Sequence, residues 1–418
     1  MTAPDAEVVI VGGGPAGLAC AIELRRLGVA NVLVLEREAQ AGGIPRHCHH
    51  QGFGARDLLR IMSGPRYARR YVERARRCGA RVEVESMVTG WSASGELEVT
   101  APTGRRLLAP AAIVLATGCR ERPRAARIVA GSRPAGVMTT GMLQQLVELG
   151  GERLSGRALI VGAEHVSFSA LPTLARAGAH VVAMVTELPR HQSLALVHAA
   201  ATLRYRTPLW TGTAVRAIRG NPRVEEVNLQ DLDSGRTRTV SCETVVFTAD
   251  WIPDHELAVL GGMTLDPGTH GPRVDTAGRT SRAGVFAAGN LIHAAEPADV
   301  AALSGRHAAQ SAARWLSEQS PWPASAIPVG CRPPLGWVSP GAVSPEPSPP
   351  PRERFLLRAS LFLRRAEIEI RQDGRTLWRG TFARLGPGRS RTLPPDWAAS
   401  VDVAGGPIEI ALAAAAAS

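Results

Sequence analysis

Three stretches of this 418-residue chain place reactive or ligand-binding residue types at telling spacings. Gly12-Gly13-Gly14-Pro15-Ala16-Gly17 fits G-x-G-x-x-G. In that spacing the first glycine permits a tight turn and the second lets backbone approach a pyrophosphate. The third lets the following helix pack close to the strand before it. The helix N-terminus then offers free N–H groups and a positive dipole end to the phosphates. Glu36 lies about 20 residues on, at the end of the next apolar run, where a carboxylate binds a ribose hydroxyl. Arg37 beside it and Gly43 in the following glycine pair join this candidate set. The second stretch is His47-Cys48-His49-His50. Adjacent side chains on an extended segment point to opposite faces, so few of these could share one ion, and no metal is assigned. Cys48 beside His49 is instead a candidate reactive thiol. The third holds His293 and Glu296, each a candidate base and equally a candidate structural hydrogen-bonding group.

These residues need elements to position them. Val8–Val11 reads as a short buried strand, Pro15 to about Leu27 as a helix ended by Gly28, and Val32–Leu35 as the next strand. Residues 111–116 and 285–288 read as further buried strands, and a helix follows from about Ala298 to Leu316. A second strand–helix–strand runs through 158–161, 166–177 and 180–185, with a buried strand returning at 244–248. Residues 81–85, 97–101 and 105–108 suggest one antiparallel meander, and 215–219, 224–231 and 237–241 another. Residues 321–351 are rich in Pro, Ser and Gly and read as a linker. The tail, 352–418, reads as a small β-rich module with Asp373-Gly374 as a turn. The expected fold class is α/β: two interleaved Rossmann-like domains with a small β-rich C-terminal module. The expected boundaries are 1–125 with 243–320 for the first domain and 126–242 for the second.

Composition excludes several classes. The net charge is +11 and all 48 basic residues are Arg, but they are scattered rather than clustered with aromatics, which argues against nucleic-acid binding. The 6 cysteines form no CxxC pair, which argues against a disulfide framework, an iron–sulfur site or structural zinc. No apolar run reaches the roughly 20 residues of a membrane span, and no N-terminal targeting pattern is visible, so cytoplasmic residence is expected.

Leu115-Ala116-Thr117-Gly118 and the run from Thr280 to Asn290, with the N-terminal glycines, resemble the three FAD-contact segments of the two-dinucleotide-binding-domain flavoproteins. Glutathione-reductase-like and thioredoxin-reductase-like enzymes belong to that group, and the resemblance covers roughly residues 5 to 318. It implies FAD held by Gly12, Gly14, Pro15, Ala16, Gly17, Glu36, Arg37, Gly43, Ala116, Thr117, Gly118, Gly289 and Asn290. The group normally ends the last segment in Asp, where Asn290 adds no charge. The helix from Ala298 would aim its N-terminus at the flavin's pyrimidine end, with His293 and Glu296 near the isoalloxazine. At Gly162-Ala163-Glu164-His165-Val166-Ser167 the group would have a second G-x-G-x-x-G. Glu164 puts a carboxylate where a pyrophosphate should approach, so NAD(P) is expected to bind poorly or not at all. The redox cysteine pair of the disulfide reductases is missing.

Residues 42–50, Ser63-Gly64-Pro65-x-Tyr67-Ala68 and Thr139-Thr140-Gly141-x-Leu143-Gln144-Gln145 are similar to FAD-binding α subunits of heteromeric amine dehydrogenases. These include opine and D-hydroxyproline dehydrogenases, with hydrogen cyanide synthase as a relative. The Cys-rich module many of them carry is replaced here by the Pro-rich stretch and β-rich tail. The resemblance implies an FAD-dependent oxidoreductase acting with an amino-acid or amine substrate and a possible second flavin-containing subunit. An NAD(P)H-dependent flavin reductase and a non-catalytic FAD-bearing scaffold stay open as alternatives.

Overall fold

The computed structural model describes residues 6–294, 296–323 and 325–413. They fall into two compact units, one of Met1–Arg46, Gln51–Cys119 and Pro253–Ser418, the other of His47–His50 and Arg120–Ile252.

The first unit is built on a five-stranded sheet in the order Val285–Ala287, Ala112–Leu115, Val8–Val11, Val32–Leu35, Arg81–Glu83. All neighbours run parallel. The runs VVIV, VLVL and AIVL are wholly buried, as strands covered on both faces must be. Helices Pro15–Arg26, Gly64–Arg77 and Ala298–Glu318 cover one face, burying Leu18, Leu24, Tyr67, Tyr71 and Ala308 with Ile10 and Val34. An antiparallel meander, Met87–Trp91, Leu97–Ala101 and Gly104–Leu108, packs Leu97 and Val99 on the other. Residues 81–83 therefore do not open the meander. Their crossover helix returns them to the sheet edge beside Val32–Leu35, with Leu33 opposite Arg81. The small residues of this core have a geometric use. A Cβ on Gly305 would lie 1.9 Å from the Ala16 carbonyl oxygen, so the first and last of these helices meet backbone to backbone.

The second unit repeats the plan with a parallel sheet ordered Val137–Thr139, Thr244–Phe247, Arg157–Val161, His180–Val185, Leu209–Trp210. A second sheet carries Thr213–Arg219, Glu226–Asp231 and Thr237–Ser241. The chain enters this unit at 120 and leaves at 252, outside the expected 126 and 242. The flanks pair with each other: the Arg122 N–H donates to the Asp250 carbonyl at 3.0 Å, which draws both into this unit.

The expected linker is not one. Within it Ile327–Cys331, Leu335–Ser339 and Ala342–Val343 are strands, and Ile327, Val329, Leu335, Val338 and Val343 are buried with Phe355, Ile368, Ile370 and Ile410. The prolines mask an alternation of apolar side chains that needs only short strands. The Pro/Ser run is also stapled down. Arg279, itself paired with Asp275 at 2.8 Å, donates to Ser344 Oγ at 2.6 Å and binds Glu346 at 2.9 Å. Strands Leu363–Gln372 and Arg375–Leu385 form a hairpin across Asp373-Gly374, whose φ values of +48° and +79° are those a two-residue hairpin turn requires.

Candidate cofactor site

In the first unit the glycine turn follows Val8–Val11 and opens the helix at Pro15, whose missing N–H costs nothing at that position. Gly12 has φ +112°, and a Cβ there would lie 2.4 Å from the Ala116 carbonyl oxygen. A Cβ on Gly17 would lie 1.9 Å from the Gly12 oxygen. Gly14 differs: a Cβ there would meet only Gly43 Cα, at 3.9 Å. Gly43 faces it with φ +61°, and the Gly42 N–H donates to the Gly13 oxygen at 2.7 Å. Gly14 thus leaves open space over a helix N-terminus, with Gly43 packed beside it, where a Cβ would lie 2.9 Å from Gly14 Cα. The Glu36 carboxylate closes one end. It accepts the Gly13 N–H at 3.0 Å and the Glu38 N–H at 2.9 Å, while burial pushes its pKa up. Arg37 is ion-paired to Asp254 at 3.5 Å, and the Thr117 hydroxyl donates to the Asp254 carbonyl at 2.7 Å. Ala116 donates to Val11 at 2.8 Å, and Gly118, φ +82°, has nothing within 4 Å of a would-be Cβ. A groove that Cβ atoms would fill, at a helix start, with a carboxylate at its rim, fits a dinucleotide such as FAD.

The end of Val285–Ala287 leads to Gly289, φ +71°, whose N–H donates to Ser304 Oγ at 3.0 Å. The Asn290 amide brackets the Glu296 backbone, accepting its N–H at 3.2 Å and donating to its carbonyl at 3.0 Å. It shapes this loop, and each end of the amide keeps one further bonding position. Glu296 is ion-paired to Arg358 at 3.1 Å. His293 is buried, which pushes its pKa down to about 4. The Arg358 ion pair engages the Glu296 carboxylate and gives it a shaping role, while His293 stays neutral with Nδ1 unbonded among the described residues.

In the second unit Cys48 is buried, its thiol donating to Gln144 Oε1 at 3.3 Å. Burial, with Glu121 and Glu148 nearby, pushes its pKa up to about 12. The expected reactive thiol is therefore held protonated and is no thiolate nucleophile. His49 lies 3.3 Å from Glu148 Oε2. The sequence offered no signal for Glu121. Its Oε2 accepts the Gly141 N–H at 2.7 Å, and burial raises its pKa from 4.5 to about 7. The folded state then binds more protons than the unfolded state between those values, so this group's contribution to stability falls as pH rises through that window. His293 acts oppositely between about 4 and 6.5. The difference between wild type and Glu121→Gln isolates the carboxyl. It should change by about 3 kcal/mol between pH 4.5 and 7, read by denaturant unfolding at each pH. A constant difference would show that Glu121 titrates normally.

The second glycine turn is built otherwise. Gly162, φ +136°, is obligatory, since a Cβ would lie 1.9 Å from Thr248 Oγ1. Glu164 is the N-cap of helix His165–Ala177 in a capping box with Ser167, whose Oγ accepts the Glu164 N–H at 3.0 Å. Its carboxylate also accepts from Trp251 Nε1 at 3.1 Å and Gln192 Nε2 at 3.3 Å. The protein's own anion thus sits at this helix start.

A family model described as Pyridine nucleotide-disulphide oxidoreductase matches residues 6–305. An opine oxidase subunit from Agrobacterium tumefaciens is 27% identical over 337 residues, 73% of this chain and 65% of that protein. The chain thus spans less than two thirds of that relative's length. Hydrogen cyanide synthase subunit HcnB of Pseudomonas aeruginosa is 35% identical over 162 residues, 37% of this chain and 32% of that protein. The crystal structure of T. acidophilum thioredoxin reductase matches with a TM-score of 0.61 at 19% identity, covering 76% of this chain and all of that one, which shows the fold alone. No helix of the described residues is long and apolar enough to cross a membrane. With the family model covering most of the chain, the protein belongs to the pyridine nucleotide-disulphide oxidoreductase family and is an FAD-dependent oxidoreductase.

Proposed function

We propose that the chain is the flavin subunit of an amino-acid or amine dehydrogenase of the opine or hydroxyproline type. It passes electrons to a partner subunit or another non-NAD acceptor. The observation that carries this reading is the contrast between the two glycine turns, an open groove at Gly14 and a carboxylate at Glu164. Relatives named as subunits of opine oxidase and hydrogen cyanide synthase support the substrate class and the partner.

In this reading Gly12, Gly14, Pro15, Ala16 and Gly17 hold the pyrophosphate, and Glu36 binds the adenosine ribose. Gly43, Ala116, Thr117, Gly118, Gly289 and Asn290 line the rest, and Arg37 fixes Asp254 against Thr117. Bound FAD supplies the two-electron acceptor for oxidation of a substrate C–H bond. The chain orients it, excludes water, and keeps His293 neutral beside it. Electrons from NAD(P)H have no built entry. Anaerobic mixing of the FAD-loaded protein with NADH and NADPH, and separately with amino acids and opines, tests this reading.

A further inference from the structure

The family match ends at residue 305, yet the loop after Asn290 is closed by side chains from beyond that point. The Arg358 guanidinium donates from Nη1 to the Ala294 carbonyl at 3.3 Å and from Nη2 to Glu296 Oε1 at 3.1 Å. It donates to Ser390 Oγ from Nε at 3.2 Å and Nη2 at 3.0 Å, and Ser390 in turn donates to Glu296 Oε1. The same guanidinium lies 4.7 Å over the Trp337 ring. Trp337 also stacks on His293, with ring centroids 5.3 Å apart and planes at 25°. Arg358 and Glu296 are each 12% exposed, and His293 Nδ1 is buried with no hydrogen-bond partner among the described residues.

We infer that Arg358 is a positioning residue of the cofactor site, and that the C-terminal module acts through it, Trp337 and Ser390 to fix the loop from Gly289 to Glu296. The inference rests on the FAD reading of Gly289 and Asn290. The mechanical path is short. Arg358 grips the Glu296 carboxylate, Asn290 grips the Glu296 backbone, and Asn290 follows Gly289 at the strand end. A carboxylate removed from water needs a charged partner, and Arg358 is the guanidinium bonded to it. A planar fork that reaches Ala294, Glu296 and Ser390 together is arginine geometry, which lysine reproduces only as a point charge. Trp337 shields the imidazole from water, so the loop is fixed on its apolar side as well.

The test uses full-length wild type, Arg358→Met, Arg358→Lys, Ser390→Ala and Ile368→Val. The last trims the module core away from the loop. Each is loaded with FAD and measured for FAD dissociation constant, position of the bound flavin's visible band, and thermal midpoint. Arg358→Met should weaken FAD by about tenfold or more, the size of effect that losing a hydrogen-bond partner of a ligating side chain has at metal sites, and should shift the band. Arg358→Lys should recover part, Ser390→Ala should move both readouts in the same direction by less, and Ile368→Val should lower the midpoint alone. Wild-type affinity and band in both Arg358→Met and Ser390→Ala would overturn the inference. So would equal FAD loss in Arg358→Met and Ile368→Val, because module stability alone would then explain it. A wild type that takes up no FAD fails before any substitution, and overturns the FAD reading together with this one.

Discussion

Gly14→Val should give a folded chain that no longer retains FAD. The backbone at Gly14 is extended, with φ −82° and ψ −173°, which valine adopts without strain. The nearest atom to its Cβ would be Gly43 Cα at 3.9 Å, so the added methyls enter the groove rather than the core. They fill the space through which a pyrophosphate reaches the helix N-terminus. The wild type should purify yellow and the variant colourless, with FAD affinity lowered on the order of 100-fold, about 2.7 kcal/mol. The thermal midpoint of the cofactor-free variant should stay within a few degrees of cofactor-free wild type. Gly17→Ala is the contrast: its Cβ would lie 1.9 Å from the Gly12 oxygen, so strand–helix packing itself should fail. A folded, fully yellow Gly14→Val would remove this turn from the cofactor site.

Replacing Glu164 and Ser167 together by glycine should raise NADH affinity by about tenfold or more, followed as nicotinamide fluorescence during titration. The substitution removes the anion at the start of helix His165–Ala177 and frees the N–H groups it occupies. It also dismantles a capping box and strands the Trp251 and Gln192 donors, so the variant should lose about 1–2 kcal/mol of stability. The two effects have opposite consequences and are read separately, by titration and by denaturant unfolding. Unchanged NADH affinity in a folded variant would mean that Glu164 is not what closes the second turn.

Local chemistry makes much of this chain legible from residue order alone. The first glycine turn, Glu36 and the buried strands around them follow from spacing and apolar runs, because a parallel sheet with a dinucleotide turn leaves few other sequences. The departure at the second turn is equally readable, since the Glu164 carboxylate stands at its helix start. What escapes depends on partners distant in the chain. Glu121 carries no motif; its pKa is set by burial and by Gly141, 20 residues away. Cys48 looks reactive beside three histidines, but burial pushes its thiol pKa up. Gly305 is legible only as part of the small residues Ala301, Gly305, Ala308 and Ala312 on one helix, which let it touch Ala16. Residues 321–351 mislead because proline density says nothing about whether the residues between are buried. The pairing of Arg358 with Glu296 spans 62 positions, beyond any local pattern.

The most direct measurement is anaerobic mixing of the FAD-loaded protein with NADH and NADPH while the flavin absorbance is followed. With Glu164 occupying the second helix start, the flavin should stay oxidised at millimolar nicotinamide. It should bleach only when a suitable amino-acid or amine substrate is supplied, alone or with a partner subunit. Rapid bleaching by either nicotinamide would contradict this, and would make the chain an NAD(P)H-dependent flavin reductase whose second turn works despite its carboxylate.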